Sequence, residues 1–99
     1  MNTEKLPVGL LARMADVLRV LAHCDRLRLI EHLEINGEQP VNALVDALGL
    51  PQATVSHHLS RMKAAGLVAA QRHEREVWYR IANPDSLTIL ECIRKKRRV

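Results

Sequence analysis

Residues 40–66, PVNALVDALGLPQATVSHHLSRMKAAG, constrain the fold more than any other stretch. Val41, Leu44, Val45 and Leu48 recur at the spacing of one helical face, and Val55, Leu59 and Met62 form a second such stripe. Gly49-Leu50-Pro51 leaves room only for a tight turn between them. On the face opposite the second stripe stand Gln52, Ala53, Ser56, His57 and Ser60. These side chains are small or hydrogen-bonding, and none is acidic. A polar helix face presented after a sharp turn has the form of a helix-turn-helix, whose second helix is sized for the major groove of DNA.

The 99 residues make one domain, 1–99, whose small core gains from dimerisation. Hydrophobic residues reach 47%, yet there is no Phe, one Trp and one Tyr, so the core is aliphatic and favours packed helices. The formal net charge of +4 suits a polyanionic partner. No apolar run is long enough to span a bilayer and no signal-peptide pattern is visible, so a soluble, cytoplasmic protein with no membrane partner is expected. Two cysteines do not make a disulfide scaffold.

Around the central pair, Leu10, Leu11, Met14, Val17, Leu18 and Leu21 give a first helix, over about 8–22, a wide apolar face after Pro7. A second helix runs over about 25–35 with Leu27, Leu29, Ile30 and Leu33 apolar, and Asn36-Gly37 ends it. The reading helix spans about 52–65 and stops at Gly66. The period then shifts: 67–72 and 76–82 read as the strands of a hairpin, a wing over about 67–82. Its tip, His73-Glu74-Arg75, lacks Gly and Asn, which predicts a loop longer than two residues. Asn83-Pro84-Asp85-Ser86 caps a last helix over about 86–96, with Leu87, Leu90 and Ile93 apolar. The fold class is mainly α with a β-hairpin, in the order α-α-α-α-β-β-α. This is a winged helix-turn-helix with an added helix at each end.

That order, with LAHCDRLRLIEHL at 21–33 and ATVSHHLSRMKAAGLV at 53–68, resembles the ArsR/SmtB family of bacterial repressors from about Leu10 to Ile93. The resemblance implies a homodimer held by the first and last helices, and a repressor that leaves a double-stranded DNA operator when an inducer binds. It places DNA reading at Gln52, Ala53, Ser56 and His57, the face that helical geometry exposes. Gln can bond adenine bidentately, and Ser and His can contact base edges or phosphates. Arg72 and Arg75 flank the wing tip, where a winged helix reaches the adjacent minor groove or backbone.

Two departures from the family pattern concern metals. The Cys-x-Cys pair of some members is replaced by Leu44-Val45-Asp46-Ala47-Leu48, and the last helix carries Asp85, Glu91 and Cys92 but no His. Neither family metal site is present, so no metal and no cofactor is expected, although a site built from His23, Cys24 and Cys92 stays open. Cys24 and Cys92 have two readings. They are a thiol sensor linking the second helix to the last, or, the favoured reading, two buried and inert thiols. Thiol-sensing family members carry their cysteines later in each helix, nearer Glu31 and Arg97. His23 reads as a cap or packing residue, His58 as a satisfied structural histidine leaning toward the core, and His32 and His73 as surface. The basic run at 94–98 reads chiefly as solvated charge at a helix C-terminus.

An enzyme is not expected, because no phosphate loop, nucleophile elbow or catalytic constellation is present. A winged-helix module binding protein rather than DNA would show an exposed apolar patch on the reading face. The inducer is not legible in the residues.

Overall fold

A computed structural model describes residues 2–97. Five helices and three short strands follow one another as α1 (Val8–Leu21), α2 (Cys24–Asn36), β1 (Gln39–Pro40), α3 (Val41–Leu48), α4 (Gln52–Ala64), β2 (Val68–His73), β3 (Glu76–Ile81) and α5 (Asp85–Arg97). Local chemistry sets most of these boundaries. The His23 ring accepts the Asp25 backbone N–H at 3.2 Å and so caps α2. Gly49 adopts φ 67°, a left-handed conformation that closes α3 by donating its N–H to the Val45 carbonyl. The Asn83 side chain accepts the Asp85 N–H at 2.9 Å, and Ser86 Oγ donates to the Asn83 carbonyl, so the 83–86 segment starts α5 as its sequence predicts.

The core is aliphatic throughout. Leu29, Ile30 and Leu33 of α2 pack with Leu44 of α3, Val55, Leu59 and Met62 of α4, and Leu67 and Val68 leading into the wing. α1 contributes Val17 and Leu21, and α5 contributes Leu90. An ion pair between Arg13 and Asp85 at 3.1 Å joins the two end helices.

Three sequence expectations are corrected. The wing is part of a three-stranded antiparallel sheet in the order β1-β3-β2, because Gln39 and Pro40 pair with Tyr79 and Trp78. The hairpin closes through two residues: His73 is in register with Glu76, leaving only Glu74 and Arg75 at the tip. Glu74 takes φ 58° without being Gly, and Arg72 Nε donates to its carbonyl at 3.2 Å, which helps hold that conformation. Third, Cys24 and Cys92 are exposed rather than buried.

Leu59 is fully buried at the junction of α4 with the core. Leu59→Ala is expected to lower unfolding free energy by about 2–5 kcal/mol, read from urea denaturation. A change below about 1 kcal/mol would show that α4 is not anchored there.

Candidate nucleic-acid interface

The helix α4 divides its surface sharply. Val55, His58, Leu59 and Met62 face inward, while Gln52, Ala53, His57 and Ser60 are exposed and Ser56 is half-buried. No acidic residue occurs in α4. The exposed large hydrophobics are Leu6, Val8, Leu11, Leu18, Ile35 and Ile93, none of them on this helix. The face therefore offers hydrogen-bonding groups without an apolar patch.

The wing approaches the N-terminal end of α4. Gln52 and Arg75 line one hollow, together with Val41 and Asn42 of the first turn of α3 and with Glu76 and Val77 of β3. A reading-helix residue and a wing residue predicted from separate stretches thus sit beside one cleft. Asn42 joins them unanticipated; its only sequence signal is its place one residue past the start of α3. Arg72 turns back onto the tip backbone at Glu74 and is less free than Arg75. On the wing, His73 lies 3.6 Å from Glu38 and edge-on to Trp78, with ring centroids 5.7 Å apart.

α4 is oriented from behind by one arginine. Arg26 of α2 donates from Nε to His58 Nδ1 at 3.1 Å and from Nη1 to the Val20 carbonyl at 3.0 Å. One guanidinium thus ties the end of α1 and the start of α2 to the buried side of α4. His58 is the satisfied structural histidine its spacing predicts. Its neighbour His57 projects outward, with ring centroids 6.0 Å apart, so fixing one ring sets the helix rotation that presents the other.

His58 is held below the usual imidazole pKa, first by burial and then by the nearby His23 and Arg26, against an opposing pull from Asp25. The neutral ring accepts from Arg26; a protonated ring cannot.

The cysteines stand apart. α5 meets α2 where Arg94 pairs with Glu34. Ten residues of α2 separate Glu34 from Cys24, about 15 Å of helix. A disulfide needs Cα atoms within about 7 Å. The geometry therefore works against a Cys24–Cys92 link within one chain. Glu31 and Arg97, near which the thiols of other family members would fall, line a shared hollow with Ile93 and Arg94. Within the basic run, Arg94 is engaged by Glu34 and Glu91, Lys95, Lys96 and Arg97 are exposed, and Arg98 lies outside the described residues.

Comparison with known proteins adds to this geometry. A family model described as "Bacterial regulatory protein, arsR family" matches residues 24–70. The HTH-type transcriptional repressor SmtB of Mycobacterium tuberculosis is 42% identical over 77 residues, covering 78% of this chain and 56% of that protein. The chain thus spans little more than half the length of that relative. The transcriptional repressor PagR of Bacillus anthracis is 34% identical over 79 residues, covering 80% of this chain and 79% of that protein. Its crystal structure matches with a TM-score of 0.77 at 30% identity, over 88% of this chain and 99% of that one. A homodimeric winged helix-turn-helix DNA-binding domain from Mycobacterium bovis, solved by NMR, matches with a TM-score of 0.74 at 30% identity, over 99% and 90% of the two chains.

The His58 environment sets a pH dependence. The unfolded chain binds this proton more readily than the folded one, so the contribution is fully present above about pH 6.5 and is lost as pH falls through the depressed folded value. Urea midpoints should fall between pH 7.5 and 5.5, and by less in His58→Gln. An equal fall in both proteins would remove His58 as the cause.

Proposed function

The chain belongs to the ArsR family of bacterial regulatory proteins, and from that premise we propose that it is a sequence-specific, DNA-binding transcriptional repressor acting as a homodimer. One observation carries the DNA reading above the others. The polar, acid-free face of α4 ends at a hollow that it shares with the wing residues Arg75 and Glu76. In this reading Gln52, Ala53, Ser56, His57 and Ser60 face base edges and nearby phosphates, while Arg75, with Arg72 behind it, follows the backbone beside the adjacent minor groove. It acts by binding and release and carries out no reaction.

The dimer reading rests on what the end helices leave uncovered. Val17 of α1 and Leu90 of α5 are buried inside the chain's own core. Val8, Leu11 and Leu18 of α1 and Ile93 of α5 stay about half exposed or more, at 77%, 51%, 49% and 46%. Burying them across a two-fold axis removes that exposure and sets two α4 helices about 34 Å apart, one DNA turn. Cys24 lies about 15 Å along α2 from Glu34, where α5 and its Cys92 meet that helix, so in this reading the two thiols act as redox-sensitive groups only separately or between subunits.

Two measurements test this reading. Sedimentation should give a dimer at micromolar concentration; a monomer would contradict it. On a duplex selected from a random-sequence pool, Ser56→Ala and His57→Ala should each weaken binding by about 1–3 kcal/mol, and Arg75→Ala should flatten the salt dependence for every sequence. Unchanged affinity in both α4 variants would move the reading face elsewhere.

A further inference from the structure

His23, Asp25 and His58 each offer one ligand atom, and the three atoms lie within 4.8 Å of one another. The two imidazoles stand edge to face, with centroids 4.4 Å apart. His23 and Asp25 belong to the start of α2, whereas His58 belongs to the buried side of α4. The cluster is open to solvent at His23 and closed at His58, which is 5% exposed. Two imidazoles and a carboxylate suit borderline transition-metal dications better than magnesium or calcium. Ligands about 2.1 Å from a tetrahedral zinc sit about 3.4 Å apart, so the three groups need to close by little more than 1 Å.

The hydrogen bonds show what a metal would displace. His58 Nδ1 accepts from Arg26 Nε, and His23 Nδ1 accepts from the Asp25 backbone N–H. Neutral rings in this arrangement carry their protons on Nε2 and keep a lone pair on each Nδ1. A dication taking the His58 lone pair replaces the Arg26 N–H there and leaves the Nε2 proton in place. The same exchange at His23 opens the α2 cap. Arg28 holds one oxygen of Asp25 at 3.0 Å, which leaves the other available. A dication held by His58 Nδ1 and the hydrogen bond from Arg26 to that nitrogen therefore exclude each other, and Arg26 is the residue that orients α4.

We propose that His23, Asp25 and His58 form a site for a zinc-class transition-metal dication, and that occupancy breaks the Arg26–His58 bond and weakens DNA binding. The second half rests on the DNA-binding reading above; the first does not.

Cobalt(II), a spectroscopic stand-in for zinc, is titrated into the full chain and followed by visible absorption, with zinc as competitor. One equivalent per chain is expected, retained in a Cys24→Ser, Cys92→Ser double variant and without a thiolate charge-transfer band. His23→Asn keeps a good helix cap but removes an imidazole, and should weaken binding by about 10–100-fold. His58→Gln should do the same. Arg26→Gln removes the competing donor and should bind cobalt more tightly than wild type. Absence of saturable binding, or equal binding by His23→Asn, overturns the site. Fluorescence anisotropy on a selected duplex then reads the second half, which predicts release by zinc in wild type but not in His23→Asn. Unchanged affinity with zinc bound overturns the coupling. A metal-free chain that binds no duplex defeats the DNA reading instead, and the cobalt titration still decides the site.

Discussion

α2 buries Leu29, Ile30 and Leu33 in a core that has no phenylalanine to fill space. Every other helix, and β3 of the wing, packs against α2. Aliphatic side chains contribute roughly 1.5–3 kcal/mol each on full burial, and their branched shapes fit one another in few arrangements. α2 is thus the reference against which α4 and the wing are placed. Arg26 adds direction to that packing. The apolar stripe of α4 would tolerate small rotations, but a hydrogen bond from Arg26 to His58 fixes one of them.

The proposed interface uses two kinds of contact. The outward face of α4 is rich in groups that donate and accept hydrogen bonds and contains no carboxylate, so it can approach DNA without like-charge repulsion. The wing carries guanidinium groups at its tip, where attraction to phosphate is nearly independent of sequence. The hollow shared by Gln52, Asn42 and Arg75 places the two close together.

Much of this was legible because it depends on local period. Val55, Leu59 and Met62 mark the inner face of α4 three and four residues apart, and His58 falls between them, so its burial followed from position. The end helices were legible as apolar but not as divided. Val17 and Leu21 turn into the chain's own core while Leu11 and Leu18 turn out, a choice that depends on partners far away in sequence. β1 was missed because two residues carry no period and one of them is Pro; only pairing with Tyr79 and Trp78 makes them a strand. The wing tip was misjudged because Glu74 holds a positive φ that composition assigns to Gly or Asn. The cysteines were expected inside because free thiols usually are, yet both helix positions face solvent. The His23, Asp25 and His58 cluster could not be seen at all, since packing alone brings residues 23 and 58 together.

The central claim is that two copies of α4 enter successive major grooves on one side of a duplex. Hydroxyl-radical footprinting of the full chain on a duplex selected from a random-sequence pool tests it directly. The account predicts two protected patches on one face of the DNA, centred about one helical turn, or a whole number of turns, apart. A single patch, or continuous protection without helical phase, would contradict it.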